Sequence, residues 1–314
     1  MRKVMKELIN PVDKEILKDE LTFAKFLRRT NNGNNELYIV TYHDSPNVMR
    51  EIGRLRELTF RKAGGGTGKD MDIDAFDYAD SPYKQLISWD PVENELLGGY
   101  RYKICSEKTK PEELATYKLF GFSDVFVKEY LPYMIELGRS FIQPAYQSSK
   151  SGRKTLYALD NLWDGLGALM VDNPECNYLF GKVTMYPHFN AKARDLILYF
   201  LNKEFYSDHK LVFARNPEPY RTPEKEMESF FTGETFEENY KLLVKEVRNL
   251  GENVPPLINA YMNLSRSMKV FGTSLNKSFG NVEETGIMIT INDIYPRKSE
   301  RHMESYRYQK ENNQ

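Results

Sequence analysis

Cysteine is scarce in this chain, and so are long apolar runs and any excess of one charge. Only two of the 314 residues are cysteines, Cys105 and Cys176, and their spacing excludes a disulfide framework and a zinc site of the usual kind. No run of 18 apolar residues occurs, and residues 1–6 precede no apolar segment, so neither a membrane span nor a secretory signal is predicted. The 44 basic and 45 acidic residues nearly cancel, which argues against nucleic-acid binding. We therefore expect a cytoplasmic protein.

The remaining composition is that of a globular protein with a sizeable core. Hydrophobic residues make up 40% of the chain, enough for one large domain at this length. Strand-like and helix-like segments mix from residue 36 onward, and a nearly all-apolar strand comes late, at 286–291. The predicted organisation is an N-terminal arm at 1–35, a single α/β domain at 36–295 with a helical insertion at about 216–272, and a fraying polar tail at 296–314.

A helix and a hairpin are predicted early in the domain. Ser45 and Pro46 are typical of a helix start, and the buried stripe of that helix consists of Val48, Met49, Ile52, Leu55 and Thr59. The arginines at 54, 56 and 61 are expected on its other faces. Two strands at 85–89 and 96–104 are predicted to pair as a hairpin.

Two motifs in this region resemble ligand loops but have the wrong spacing. The glycine-rich segment 63–70 lacks the first glycine and the final hydroxyl of a nucleotide P-loop, so a flexible or substrate-covering connection is the better interpretation. The acidic segment 70–77 lacks the glycine and the glutamate of a calcium loop. Its carboxylates would repel one another unless arginines face them, and the candidates are Arg54, Arg56, Arg101 and Arg139.

The strand predicted at 133–142 carries two charges among apolar residues, Glu136 and Arg139. Charges inside a short apolar strand cost desolvation energy unless they are paired or used. They are therefore either a structural ion pair or part of an active site. Strict alternation places them on opposite faces of a sheet, so a shared site requires a β-bulge within 136–140, at Gly138.

A polar, basic loop follows this strand and leads into a helix predicted from Thr155. Unpaired N–H groups at a helix start attract anions. The order of strand, phosphate loop and helix resembles the layout of the GNAT acyltransferase fold. The residues expected to bind phosphate are Ser149, Lys150, Ser151, Gly152, Arg153 and Lys154.

Several motifs in order resemble those shared by acyl-homoserine-lactone synthases and the ornithine-lipid and glycine-lipid N-acyltransferases. They are Arg56 with Phe60, Asp74 with Asp77, Gly99-Tyr100-Arg101, and Glu136-Leu137-Gly138-Arg139-Ser140. Later segments at 178–184, 255–258 and 278–280 are similar to the aminolipid branch alone. The resemblance spans about residues 36–295 and is closest to the Bacteroides-type glycine N-acyltransferases, some of which carry a haemolysin label.

Two departures from these patterns matter. No tryptophan follows Phe60 in the loop where the signalling synthases use one, and Asn276 stands where many aminolipid enzymes have aspartate. The first departure speaks against the signalling branch.

The resemblance implies a GNAT fold with a mixed central sheet flanked by helices, and transfer of a 3-hydroxy fatty acyl group from acyl carrier protein to an amino acid, glycine first. It implies that Glu136 is the general base, that the network of Arg139, Arg101, Asp74 and Asp77 orients it and the acceptor, and that main-chain N–H groups at Gly138 and Ser140 hold the oxyanion. Residues implied in substrate binding are Arg56, Phe60, Asp74, Asp77 and Arg101. The loop at 149–154 would bind the pantetheine phosphate and meet the carrier protein, and no bound cofactor or metal is expected.

Three alternatives stay open at this point. Ornithine could be the acceptor, or the chain could be a homoserine-lactone synthase that uses S-adenosylmethionine. A membrane-binding or lytic protein is the alternative of another class, but no spanning segment or strongly apolar amphipathic helix favours it. Peripheral contact with the inner face of the membrane is compatible with the acyltransferase interpretation.

Overall fold

The computed structural model describes residues 5–147, 153–207 and 210–312, without the side chains of residues 153–156 and 206–207. The chain forms two compact units. Unit 1 combines the stretch up to Ser106 with Tyr133–Asn177 and the stretch from Tyr295 onward, and unit 2 combines Glu107–Pro132 with Tyr178–Ile294. The predicted single domain at 36–295 stays a prediction.

Helices and strands are mixed in both units, as the predicted α/β class requires. The strands are β1 (Phe26–Arg29), β2 (Glu36–Val40), β3 (Lys84–Asp90), β4 (Glu95–Ile104), β5 (Phe120–Phe122), β6 (Met134–Ile142), β7 (Tyr178–Met185), β8 (Tyr206–Ser207), β9 (Val212–Ala214), β10 (Lys269–Asn276) and β11 (Val282–Thr290). The helices are α1 (Lys14–Glu20), α2 (Pro46–Lys62), α3 (Ala75–Tyr78), α4 (Asp124–Glu129), α5 (Arg153–Asp172), α6 (Ala191–Glu204), α7 (Glu224–Glu228), α8 (Phe236–Asn249), α9 (Pro256–Met262), α10 (Pro296–Ser299) and α11 (Ser305–Asn312).

The sheet of unit 1 is antiparallel, with its strands in the order β1-β2-β3-β4-β6. The predicted hairpin is confirmed as β3 and β4. Gly98 is required where β4 passes β6, because a Cβ there would lie 2.4 Å from the main-chain oxygen of Phe141. The two glycines of β4 thus allow close approach of the strand that carries Glu136.

Helix α2 begins at Pro46, and the predicted stripe from Val48 to Thr59 is buried, as expected. Helix α5 packs on the same sheet at Gly165, where a Cβ would lie 2.6 Å from the Leu86 side chain. Arg56, which the sequence analysis placed outside this stripe, is also fully buried. Neutralising aspartates, described below, make that burial possible.

Both ends of the chain are more ordered than predicted. The N-terminal arm contributes α1 and β1, and β1 pairs with β2. The expected fraying of the tail is wrong for the described residues up to 312, which form α10, a π-helical turn at Glu300–Glu304, and α11. The His302 ring lies 2.7 Å from the Asp164 carboxylate of α5, and the Tyr306 hydroxyl donates to Asp172. The polar side chains of the tail, which were expected to face solvent, thus bind carboxylates of α5 instead.

The sheet of unit 2 has the order β7-β11-β10-β8, in which β8 and β10 are parallel and the other pairs antiparallel. Strands β5 and β9 form a separate pair. The predicted helical insertion is present as α7, α8 and α9, but its end is wrong, since β10 already begins at Lys269. The last strand also begins earlier than predicted, at Val282, and so includes two buried glutamates, Glu283 and Glu284.

Candidate active site

Strand β6 contains a bulge that changes which side chains share a face. Across the β4–β6 ladder, Arg101 faces Gly138 and Gly99 faces Phe141, so Arg139 and Ser140 together oppose a single β4 residue. Arg139 is left-handed, with φ of 49°, as expected for the extra residue of a bulge. The predicted bulge is thus confirmed, one residue after the predicted position at Gly138.

Residues directly opposite in an antiparallel pair share a face of the sheet. Lys103 faces Glu136 and Arg101 faces Gly138, so these four residues lie on one face. Glu136 and Arg101 are both buried.

The predicted pairing of arginines with the acidic segment is confirmed for three of the four candidates. Arg54 instead pairs with Glu51, and Asp72, which the sequence analysis did not select, takes a central place. The paired groups are Arg56 with Asp72 (3.1 Å) and Asp77 (3.3 Å), Arg101 with Asp74 (2.7 Å) and Asp77 (3.2 Å), and Arg139 with Asp72 (2.8 Å) and Asp74 (3.6 Å). We call these six residues the arginine–aspartate network.

Four members of the network, Arg56, Arg101, Asp72 and Asp77, are buried, and their charges depend on one another. Burial alone would raise the pKa of Asp77, but the positive charges of Arg56 and Arg101 hold it well below the ordinary value. Burial likewise opposes ionisation of Asp72, while Arg139 and Arg56 lower its pKa. The aspartates in turn raise the pKa of Arg101 against the effect of burial. Asp72, Asp77 and Arg101 are therefore charged near neutral pH.

The aspartates of the network also hold the short helix α3. Asp74 accepts a hydrogen bond from the Phe76 N–H, and Asp77 accepts one from the Asp74 N–H, which forms a capping box. The Gln85 side chain donates to Asp77 over 3.0 Å. These contacts give both aspartates a structural role, and their predicted contact with substrate stays a prediction.

Glu136 is held by a tyrosine that the sequence analysis did not select. The hydroxyl of Tyr83 donates to Glu136 Oε2, and both side chains are buried. The Arg101 guanidinium lies 5.2 Å from the Tyr83 ring centroid, so the phenol connects the carboxylate to the arginine–aspartate network. An isolated tyrosine before a strand gives no signal of this contact in the sequence.

The space beside Gly138 is open. Among the described residues, a Cβ built there would meet no atom within 4 Å, in contrast to Gly98 and Gly99 across the ladder. A glycine with open space next to it is typical of a strand to which a ligand comes close. The open space lies on the face that carries Glu136 and Arg101.

The glycine-rich connection after α2 is held by Glu57, a buried residue of that helix. Its carboxylate accepts hydrogen bonds from the N–H groups of Thr67 and Gly68 and from Arg61. Gly64, Gly66 and Gly68 all have positive φ, which explains the repeated glycines. The segment is therefore a turn held by hydrogen bonds to Glu57, and its predicted role in covering substrate stays a prediction.

Phe60 lies buried in α2, and Ser140 lies in the bulge, at intermediate exposure. The predicted phosphate-binding residues Ser149 to Gly152, and the side chains of Arg153 and Lys154, lie outside the described residues. The helix that follows them is confirmed as α5, which begins at Arg153, two residues before the predicted start.

Asn276, the second departure from the aminolipid pattern, belongs to a buried polar cluster in unit 2. Its amide donates to Glu284 over 3.0 Å, and Lys182 forms an ion pair with the same carboxylate. Thr184 donates to Glu284 as well. Burial would raise the pKa of Glu284, but Lys182 lowers it. Asn276 thus supports a carboxylate that is already neutralised by a lysine.

Within residues 5–147, 153–207 and 210–312, no three His, Cys, Asp or Glu side chains converge as ligands for a metal ion. Over the same residues, no helix combines the length and the hydropathy needed to cross a bilayer. The expectation that no metal or cofactor is bound stays a prediction.

Comparison with known proteins gives the chain a family. Residues 55–156 match the family model described as an acetyltransferase (GNAT) domain. Over 306 residues the chain is 56% identical to a glycine N(alpha)-acyltransferase of Phocaeicola vulgatus, covering 96% of this chain and 94% of that protein. It is 54% identical, also over 306 residues, to a glycine N(alpha)-acyltransferase of Bacteroides thetaiotaomicron, covering 96% and 91%. No solved structure is significantly similar. The predicted GNAT fold is confirmed, and the chain belongs to the family of GNAT acyltransferases that includes these two glycine N(alpha)-acyltransferases.

Proposed function

We propose that this acyltransferase moves a 3-hydroxy fatty acyl group from the phosphopantetheine thioester of acyl carrier protein to the amine of glycine, in aminolipid biosynthesis. The observation that carries the proposal is the buried carboxylate of Glu136 on the same face as Arg101 and the open space at Gly138. The printed name of both relatives supports glycine as the acceptor. The carrier-protein donor is proposed from the resemblance of the motifs.

In the proposed reaction, Glu136 takes a proton from the ammonium group of glycine, directly or through a water, so that the amine can attack the thioester carbonyl carbon. That first proton is released to solvent. As the amine attacks, the C–N bond forms, the nitrogen gives its second proton to the Glu136 carboxylate, and the C–S bond breaks. Glu136 then passes this proton to the departing thiolate, which leaves the carboxylate ready for the next cycle.

The oxyanion that forms during attack needs N–H donors that are aimed at it. A bulge bends its strand and changes where the main-chain groups point, and β6 has its bulge at Arg139 and Ser140. We assign the oxyanion to main-chain N–H groups between Gly138 and Ser140.

Arg101 is proposed to bind the carboxylate of the acceptor. Its Nη1 group contacts Asp74 and Asp77, whereas its buried Nε makes no hydrogen bond among the described residues. A guanidinium with one N–H group outside its existing hydrogen bonds can still donate to a carboxylate. Arg139 is the alternative for this role, and the phosphate of the donor is assigned to residues 149–154.

The activity is tested with purified protein, 3-hydroxyacyl carrier protein or the matching coenzyme A thioester, and glycine or ornithine at equal concentration. We expect N-acylglycine to form faster than N-acylornithine, and the carrier-protein thioester to be the better donor. Mass analysis of the products decides between the acceptors. Faster acylation of ornithine would overturn the choice of glycine, and a lactone formed with S-adenosylmethionine would indicate a signal synthase.

The open space at Gly138 yields a prediction about size. Gly138→Ala should leave stability within about 0.5 kcal/mol of wild type, because the new methyl group meets no atom within 4 Å. It should lower kcat/KM on the order of tenfold or more, because the methyl group enters space needed by the reactants. Thermal unfolding and initial rates measure the two effects.

Gly98→Ala is the matched control for Gly138→Ala, since it adds the same methyl group on the neighbouring strand. Its Cβ would lie 2.4 Å from Phe141 O, so a loss of about 1–3 kcal/mol in stability is expected. Unchanged kinetics in a stable Gly138→Ala variant would show that no reactant occupies the space.

Aminolipid synthesis takes place where acyl donors in solution meet the membrane. We therefore place the enzyme in the cytoplasm, with peripheral contact at the inner face of the membrane. Fractionation of cells that express the chain measures this distribution.

A further inference from the structure

Tyr83 is fixed on several sides within unit 1. Its ring packs edge-on against Phe76, with centroids 5.5 Å apart, and its N–H donates to the Phe76 carbonyl over 2.8 Å. The Arg101 guanidinium and the Lys103 ammonium lie 5.2 Å and 5.7 Å from the ring centroid. The phenol therefore has little freedom to turn away from Glu136, to which it donates its hydrogen bond.

The same contacts connect Glu136 to the arginine–aspartate network and to helix α3. Arg101 is bound to Asp74 and Asp77, which form the capping box of α3. Phe76, which packs on Tyr83, is a residue of that helix. The orientation of Glu136 thus depends on Tyr83, and the position of Tyr83 depends on Arg101 and Phe76.

We propose that Tyr83 is a positioning residue for acyl transfer, an inference that rests on the proposed function. By donating to Oε2, the phenol holds the Glu136 carboxylate in one orientation for its proton transfer. A hydrogen bond donated to a carboxylate also favours the charged form, which is the form that acts as a base. Tyr83 itself exchanges no proton with the reactants.

The test is Tyr83→Phe, which keeps the ring and its contacts with Arg101 and Phe76 but removes the donor. We expect kcat to fall on the order of 10- to 100-fold, with KM for glycine and for the thioester nearly unchanged. A merely structural role would instead be expected to change kcat and KM together.

Tyr38→Phe is the matched control. Tyr38 is a buried tyrosine on strand β2 of the same sheet, and its hydroxyl donates to Glu36 over 2.7 Å. Loss of this second phenol–carboxylate bond should change neither kcat nor KM. An equal effect of both substitutions would indicate a general structural role and overturn the inference.

A double variant separates positioning from folding. In the Glu136→Gln background, Tyr83→Phe should cause little further loss of kcat, because both changes act on the same group. Multiplied losses would overturn the inference. If wild type is active and Glu136→Gln is impaired, an unchanged kcat in Tyr83→Phe overturns the role of Tyr83 and leaves the proposed function of Glu136 intact. If Glu136→Gln is fully active, the proposed function of Glu136 fails and the inference falls with it.

A measurement on the wild-type protein covers the case in which Tyr83→Phe does not fold. Proton NMR should show a downfield hydroxyl resonance for the buried phenol, which moves upfield in Glu136→Gln because a neutral amide is a weaker acceptor than a carboxylate. A spectrum without such a resonance would overturn the inference.

Discussion

Replacing Glu136 by glutamine should lower kcat by about 10²–10⁴-fold while the protein stays folded, since general-base catalysis typically contributes that much. Glutamine keeps the shape of the side chain and can still accept the hydrogen bond from Tyr83, but it cannot take a proton from the amine. Initial rates of N-acylglycine formation, together with circular dichroism of the variant, measure the effect.

Glu36→Gln is the control for this substitution. Glu36 also lies on a strand of unit 1 and also accepts a hydrogen bond from a tyrosine, Tyr38, so the same chemical change is made away from the site. Its kcat should stay near that of wild type. Turnover close to wild type in a folded Glu136→Gln variant would return Glu136 to a structural role.

Replacing Asp77 by asparagine is expected to lower the free energy of unfolding by about 3–5 kcal/mol, because Arg56 and Arg101 keep their charge in a buried position after losing a partner. Typical domains are stable by only about 5–15 kcal/mol, so the loss is a large fraction of the total. Denaturant unfolding of both proteins at neutral pH measures it. Asp80→Asn, three residues away and exposed, should stay within about 0.5 kcal/mol of wild type.

The pH dependence of unfolding gives an independent reading of the same pair. Burial raises the pKa of Asp77 and the two arginines lower it, with a net decrease. The ionised form of Asp77 therefore stabilises the folded state relative to the unfolded state. The stabilisation is complete above the ordinary aspartate pKa of about 3.9 and is lost as the pH falls below it. Wild type should therefore lose stability more steeply than Asp77→Asn below about pH 4. Parallel curves would contradict the assignment.

The candidate site could be proposed from the sequence because its residues depart from the usual pattern of their local structure. Two charges in the short apolar strand β6 required an explanation, and alternation then required a bulge, which is present. The stripe of α2 and the β3–β4 hairpin followed from periodicity alone. These features depend on neighbours along the chain or on one adjacent strand.

The parts that sequence reasoning missed depend on contacts between distant segments. Arg56 was expected among the arginines that face the acidic segment, but a single sequence does not show which carboxylates it meets, and these are Asp72 and Asp77. Tyr83 carries no charge pattern, and its importance comes only from where Glu136 lies. The first residues of β10 were included in the helical insertion because the pairing of this strand with β11 is a tertiary property.

The polar tail was the largest misjudgement, and its order has a consequence for biosynthesis. The Arg28 guanidinium donates to the carbonyl of His302, a contact between residues 274 positions apart, and Gly167 of α5 lies so close to the same carbonyl that a Cβ would be 2.3 Å from it. Contacts this distant in sequence form late, because the entropy of closing the intervening loop must first be overcome. On the ribosome, unit 1 must therefore wait for residues 295–312 to emerge before its last surface can close, although its sheet is synthesised much earlier.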